Sequence, residues 1–178
     1  LLLILNFSFV LYNMERTKRR KAELAKRTKD ESLQFQVEWG IHNLGLELTD
    51  EMRTRIDDEL RLLLNLGLAD NLLTLKDIVD GARQDLEAVP EPFKGNLAGS
   101  IVAYCLGITT GNPLEKDLLK PVDEYALPFQ LILYYDNVVR NRVVDWIKAH
   151  GYQEVKTRLS QPILKMDKMV VEFKRVVK

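Results

Sequence analysis

Hydrophobic side chains recur at helical spacing in two neighbouring stretches of the chain. In the first stretch, Thr49 can cap the free amides of a helix start, and the two acidic residues after it suit the positive end of the helix dipole. The apolar positions that follow are Met52, Ile56, Leu60, Leu63 and Leu64. Gly67 ends the pattern, and the stretch 71–83 repeats it with apolar positions Leu72, Leu75, Ile78, Val79 and Ala82. Each stretch predicts a helix with one buried face.

The segment 129–135 has a different pattern. Both of its alternating sets of residues are apolar and the run is short, which predicts a buried central strand. The amphipathic stretch 140–150 predicts a helix after that strand, and the tail alternates around Pro162. The apolar positions Met169, Val170, Phe173 and Val176 predict a final helix.

Charge and turn residues divide the remaining segments. The stretch 14–34 is rich in Lys, Arg, Glu and Ala, which predicts a solvated helix. Prolines 90 and 92 predict a loop, and the segment 94–100 leads from it into a helix that ends near Gly107. Residues 114–125 predict a short helix. This order predicts an α+β fold, mostly helical with a small central β-sheet.

The first twelve residues are apolar and are followed by a basic run at 18–21. A spanning helix needs about 20 apolar residues, and a secretory signal carries its charge before the apolar stretch. We therefore expect a buried strand or helix cut from a larger protein, and a membrane-surface anchor is the alternative. The missing initial methionine fits a fragment.

Composition limits the possible chemistry. Of the 178 residues, 26 are Lys or Arg and 26 are Asp or Glu, so nucleic-acid binding would have to come from local patches. The single cysteine, Cys105, lies in an apolar run and predicts a small buried side chain rather than a reactive thiol. With two isolated histidines, neither a thiolate zinc site nor an HExxH site is available. We expect a cytoplasmic protein without membrane contact.

Three stretches, in order, resemble the alpha subunit of bacterial DNA polymerase III, a C-family replicative polymerase. The helical residues 48–60, 67–70, 77–79 and 82–83 resemble the entry to that family's palm. The most specific match is GNLAGSIVAYCLGIT at 95–109, with 112–114 and 117–119, which resembles a nucleotide-binding loop and its helix. The stretches 140–147, 151–152 and Val155 resemble the helix after the catalytic strand. The resemblance implies a palm-like domain over 48–178 and leaves 1–47 unassigned.

The resemblance implies DNA-templated DNA synthesis, with primer-template and deoxynucleotide as partners and magnesium as the metal. It assigns nucleotide binding to Lys94, Gly95, Asn96, Gly99 and Ser100. It assigns phosphate contacts to Lys165 and Arg175. A glycine-rich turn before a helix can direct amides at an anion, although the same residues often form only a tight turn and a cap. The family has arginine at position 94, serine at 96 and a small residue at 97, and Asp167 and Val171 replace two further basic residues.

The predicted catalytic strand departs most from the family. Nucleotidyl transfer needs two divalent ions held by carboxylates at alternate positions of one strand. Depending on whether Pro128 or Arg140 anchors the comparison, those positions are Leu131 and Leu133 or Ile132 and Tyr134. Neither register has a carboxylate, and Asp136 is the remaining candidate metal ligand. We therefore expect an inactive fragment without cofactor that retains some nucleotide or DNA binding, or alternatively a structural or interaction module without a nucleic-acid ligand.

Overall fold

The computed structural model describes residues 14–19, 27–116, 129–152, 154–156 and 162–176. Its helices are α1 (14–19), α2 (Lys29–Leu44), α3 (Asp50–Asn65), α4 (Ala69–Leu86), α5 (Ile101–Cys105) and α6 (Asn137–Ala149), with a 3₁₀ helix at Pro113–Lys116. Its strands are β1 (Phe129–Tyr135), β2 (Glu154–Lys156), β3 (Pro162–Lys165) and β4 (Met169–Arg175). The apolar segment 1–12 and most of the helix predicted over 114–125 lie outside the described residues.

The stretch 14–34 that was predicted as one helix includes α1 and the first part of α2, which ends later than the charge pattern predicted. The Thr28 hydroxyl accepts a hydrogen bond from the Glu31 amide, and the Glu31 carboxylate accepts one from the Thr28 amide, which forms a capping box. The helix then runs past position 34 to Leu44, where Gly45 adopts a φ of 60°. The predicted end near residue 34 is therefore wrong, because an apolar stripe of Leu33, Val37 and Ile41 continues the helix into the core.

The two helices predicted from apolar spacing are confirmed. Helix α3 follows Thr49, whose hydroxyl accepts a hydrogen bond from the Met52 amide at 3.2 Å. Helix α4 extends the predicted 71–83 to Ala69–Leu86. Between them Gly67 adopts a φ of 67°, a left-handed conformation that suits glycine.

The described strands form one mixed sheet in the order β1-β4-β3-β2. Strand β1 pairs with β4 in parallel, whereas β3 pairs antiparallel with both β4 and β2. The helix predicted at the C-terminus is wrong. Every second residue, Met169, Val171 and Phe173, points into the core, and the backbone of this segment pairs with two strands. The prediction of an α+β fold is confirmed.

Strand β1 was predicted to be central, but it lies at an edge of the sheet among the described strands. Its inner side chains, Leu131, Leu133 and Tyr135, are buried with those of β4 under the helices. Ile132 and Tyr134 on the other face are half-buried, which explains why both alternating sets are apolar. The apolar residues on both faces of β1 therefore indicated its burial correctly, but they could not indicate how many strands pair with it.

A single hydrophobic core joins the helices to the sheet. Helix α2 contributes Leu33, Val37 and Ile41 to the same core as α3, α4, α5, α6 and the inner face of the sheet. The predicted division of the chain between residues 47 and 48 stays a prediction. Trp146 of α6 packs over Gly81 of α4, and its indole N–H donates to Asp85 at 2.8 Å, so these two helices are held in register.

Helix α5 lies so close to α2 that there is no room for a side chain at the crossing. A Cβ atom at Gly40 would stand 1.7 Å from the carbonyl oxygen of Cys105. Because the neighbouring atom belongs to backbone, the contact cannot be relieved by turning a side chain. Gly40 is therefore required for the α2–α5 contact.

We expect Gly40→Ala to lower the free energy of unfolding by about 3 kcal/mol or more, because the helices must separate to admit the methyl group. Gly45→Ala is the control: a Cβ there meets nothing within 4 Å, and only its φ of 60° is unfavourable. That variant should lose about 1 kcal/mol. Urea unfolding measures both, and equal losses would contradict the role given to Gly40.

Candidate functional site

A buried carboxylate meets the start of α5, the helix that follows the predicted nucleotide-binding loop. The Ser100 hydroxyl accepts a hydrogen bond from the Ala103 amide at 2.9 Å and donates one to Glu59 Oε1. The Ile101 amide donates to Glu59 Oε2 at 3.1 Å. Burial raises the pKa of Glu59, opposed by these hydrogen bonds and by Arg55. The donors that could face a phosphate at this helix end therefore bind a side chain of the protein itself.

Cations from α4 bind the carbonyl groups at the other end of α5. Lys76, which is buried, donates to the Leu106 carbonyl at 3.0 Å and to Asp80 at 2.7 Å. Arg83 donates to the Gly107 carbonyl at 2.7 Å and to Asp80 at 3.1 Å. An acidic side chain therefore binds the amide end of α5 and basic side chains bind the carbonyl groups that follow its other end.

The sequence interpretation did not assign Glu59 or Lys76 these roles. Glu59 lies between Ile56 and Leu63 on the buried side of α3, and Lys76 directly follows the buried Leu75. Charged residues are almost never fully buried unless they are paired. Helical spacing assigns both residues to the core, and a charged residue at a core position predicts a buried ionic or hydrogen-bonding partner.

The first half of the predicted loop runs along the outer edge of β1. Asn96 Oδ1 accepts a hydrogen bond from the Ile132 amide at 3.0 Å, and Asn96 Nδ2 donates to the Gln130 carbonyl. Gly95 has a φ of 89°, and a Cβ atom there would stand 2.1 Å from the Ile132 carbonyl oxygen. Lys94, next to them, is exposed. The structure therefore brings Lys94, Gly95 and Asn96 together beside the predicted catalytic strand.

The second half of the loop is turned into the protein. Gly99 is buried, and its carbonyl accepts a hydrogen bond from Arg55 Nη2 at 3.1 Å. Ser100 is also buried and caps α5. Nucleotide binding by these five loop residues stays a prediction, but the structure separates the exposed Lys94 and the half-buried Gly95 and Asn96 from the buried Gly99 and Ser100.

The sheet decides which register of β1 could face an external ion. Leu131 and Leu133 lie in the core, whereas Ile132 and Tyr134 lie on the face away from the helices, here called the open face. On that face, Ile132 is paired in register with Glu172 of β4, and Tyr134 with Lys174. Glu172 and Lys174 form an ion pair at 3.5 Å.

The other predicted contacts are spread over the domain. Asp136 caps α6, since its carboxylate accepts a hydrogen bond from the Val138 amide at 3.1 Å. Lys165 is exposed and lies on the open face, because it is paired in register with Val170. Arg175 lies on the inner face of β4, two residues after the buried Phe173, and its guanidinium donates to Asn141 of α6 at 3.1 Å. Lys165 and Arg175 therefore lie on opposite faces of the sheet.

A groove of about 700 Å³ lies between α1 and α2 and is lined by Glu15, Arg16, Arg19, Trp39, His42 and Asn43. The guanidinium of Arg16 lies 4.8 Å from the centre of the Trp39 ring. None of the predicted site residues lines this groove. Within the part of the chain that the structure describes, no helix is long and apolar enough to cross a membrane.

Comparison with known proteins identifies a family for the chain. The family model described as "Bacterial DNA polymerase III alpha NTPase domain" matches residues 22–130, which is more than half of the chain. The chain belongs to this family. The match starts within the segment that the sequence left unassigned and ends in β1, so it includes the loop and α5.

The chain is also similar to bacterial DNA polymerases over short stretches of their length. The chain is 40% identical over 75 residues to a DNA polymerase III subunit alpha of Halalkalibacterium halodurans, which covers 42% of this chain and 7% of that protein. It is 28% identical over 109 residues to a DNA polymerase III subunit alpha of Staphylococcus aureus, which covers 58% of this chain and 10% of that protein. It is 36% identical over 72 residues to an error-prone DNA polymerase of Bdellovibrio bacteriovorus, which covers 40% of this chain and 7% of that protein. The chain thus matches a tenth or less of the length of these relatives.

The residues around β1 do not fit the pair of magnesium ions that the DNA polymerase III alpha resemblance implies. Such ions prefer oxygen ligands, and Ile132 and Tyr134 offer no carboxylate on the open face. The Asp136 carboxylate is bound to the start of α6 and Glu172 is paired with Lys174. Among the described residues, no group of three or more His, Cys, Asp and Glu side chains could hold a metal ion.

Glu59→Gln is expected to remove a pH-dependent part of the stability. Because burial raises the folded-state pKa of Glu59 above its ordinary 4.5, the folded protein binds this proton more tightly than the unfolded chain does. The contribution of Glu59 to the free energy of unfolding is therefore greatest below its ordinary pKa and is lost as pH rises through its folded-state pKa. Urea unfolding between about pH 4 and pH 7 should show the advantage of wild type over the variant shrinking as pH rises.

Glu31→Gln is the matched control, since hydrogen bonds from Thr28 lower the pKa of Glu31. The stability that Glu31 contributes is present above the ordinary 4.5 and is lost as pH falls through the lowered value. The two substitutions should therefore change the pH profile in opposite senses. A wild-type profile in Glu59→Gln would contradict the role given to this carboxylate.

Cys105 is expected to be unreactive in the folded protein. The side chain is buried, and burial, with help from Glu59 and Glu38, raises the pKa of the thiol to about 12. Labelling with a disulfide reagent at neutral pH should be at least about a hundredfold slower than for an exposed thiol of ordinary pKa. One equivalent should react after unfolding in guanidinium, and rapid labelling of the folded protein would contradict this burial.

Proposed function

We propose that this chain is part of a polymerase core of the DNA polymerase III alpha type, and that it binds the phosphates of primer-template or deoxynucleotide without catalysing nucleotidyl transfer. The observation that carries the proposal is the open face of β1. It is next to the loop that carries the exposed Lys94, yet Ile132 and Tyr134 occupy the positions that metal ligands would need.

The absence of turnover follows from the chemistry of these two side chains. A two-ion mechanism requires carboxylates that both point to one face of a strand. On β1 the outward positions carry a branched alkyl group and a phenol, and the core positions carry leucines. In this proposal the strand keeps the palm-like packing of the family but not its metal centre.

Binding in this proposal depends on lysines rather than on the end of α5. Glu59 already binds the Ser100 hydroxyl and the Ile101 amide, so an incoming phosphate would meet a carboxylate there. Lys94 is exposed at the edge of β1 and Lys165 is exposed on the open face, and both can approach an anion from solvent. Arg175 lies on the inner face and is bound to Asn141, which gives it a smaller part.

The buried carboxylate also favours a second function. If Glu59 fills the anion position permanently, the loop is only a structural connection between α4 and β1. The chain would then be a structural or interaction module that keeps the family's packing and has no nucleic-acid ligand. Its thermal stability would not respond to deoxynucleotide with magnesium.

Anisotropy of labelled primer-template at low salt tests the first function. We expect Lys94→Ala and Lys165→Ala each to weaken binding by about threefold to tenfold and to reduce the slope of log affinity against log salt by about one. Lys29→Ala is the matched control, because Lys29 is exposed on α2 and pairs with Asp70 at 2.8 Å. It should change binding little.

Three outcomes would contradict the proposal. Equal weakening by Lys29→Ala would indicate nonspecific attraction, and no salt-sensitive binding at all would favour the structural module. Primer extension that depends on magnesium and on this chain alone would show that the metal site lies elsewhere than on β1.

A further inference from the structure

The outer edge of β1 is the starting point of the inference. Among the described strands β1 pairs only with β4, so the backbone groups of Gln130, Ile132 and Tyr134 that point away from β4 need other partners. An uncovered edge of this kind is a template for pairing with another chain. The segment 91–96 covers it.

Asn96 binds this edge with both ends of its carboxamide. Its oxygen accepts from the Ile132 amide at 3.0 Å, and its nitrogen donates to the Gln130 carbonyl. A residue of an additional parallel strand opposite Leu131 would use its own amide and carbonyl to bind the same two groups. Among side chains, a carboxamide offers a donor and an acceptor on one planar group, as a peptide does.

Glu91 and Gly95, which lie before and after Lys94, also contact β1. The Glu91 amide donates to the Tyr134 carbonyl at 2.7 Å. Gly95 lies so close to the Ile132 carbonyl that a Cβ atom would be 2.1 Å from it, and its φ of 89° also favours glycine. Lys94 is therefore carried by a short segment that is attached to β1 before and after it.

We propose that Asn96 is a positioning residue: its carboxamide takes the place of a neighbouring strand on β1, closes that edge, and fixes the backbone of Lys94 beside the open face. The attachment to β1 stands on the hydrogen bonds alone. The consequence for Lys94 rests on the proposed function.

Nuclear magnetic resonance of the full chain tests the attachment. In Asn96→Ala both bonds are lost, so the Ile132 amide should exchange with solvent about fivefold faster or more, and the carbonyl carbon shift of Gln130 should move. In Asn96→Asp the carboxylate can still accept from Ile132 but cannot donate, so the Gln130 signal should move while Ile132 stays protected.

Asn112→Ala is the matched control. Asn112 also binds backbone through its side chain, but its partner is the Leu114 amide at 3.1 Å and not a group of β1. It should leave Gln130 and Ile132 unchanged. The amides of Leu131 and Leu133 report whether the pairing with β4 survives in every variant. Wild-type signals at both Gln130 and Ile132 in Asn96→Ala would overturn the proposal.

A double-mutant cycle tests the consequence for Lys94. If Asn96 acts through Lys94, then Lys94→Ala should weaken primer-template binding about threefold less in the Asn96→Ala background than in wild type. Additive effects would overturn the positioning of Lys94. If wild type binds no primer-template, the proposed function fails, and the signals of Gln130 and Ile132 still decide whether Asn96 holds the edge.

Discussion

Helix α5 is held in place by hydrogen bonds from buried and half-buried polar side chains at both of its ends, and the arrangement of the surrounding helices follows from this. Five residues cannot form a stable helix alone, because nucleation costs more than one turn of hydrogen bonds returns. Glu59 of α3 binds the start of the helix, and Lys76 and Arg83 of α4 bind the carbonyls that follow its end. Gly40 of α2 lets a third helix approach the backbone of α5 directly.

The position of α5 in turn sets the position of the loop before it. After following the edge of β1, the chain turns inward at Gly99 and Ser100, which are bound by Arg55 and Glu59. The buried end of the loop at Gly99 binds a side chain of α3 through its backbone, and the exposed part of the loop carries Lys94. The loop therefore connects the helices to the sheet, and Lys94 stays exposed to solvent.

This arrangement has a functional consequence. The start of a helix is well placed to bind phosphate. Here the hydroxyl of Ser100 and the amide of Ile101 bind the carboxylate of Glu59, so the helix end serves the fold. On β1 the outward positions are Ile132 and Tyr134, so the open face offers packing surface and the neighbouring lysines rather than metal ligands.

The sequence by itself determined α3, α4 and the strand character of β1, because apolar spacing and the Thr49 cap act within a few residues. It did not separate strand from helix at 169–176, where Met169, Phe173 and Val176 fit a helix and Met169, Val171 and Phe173 fit a strand. The tertiary structure decided this through pairing with β1 and β3. It also decided that β1 is an edge strand, which of its faces is open, and that Ser100 meets a carboxylate 41 residues away. These features depend on partners distant in sequence, whose positions no local periodicity encodes.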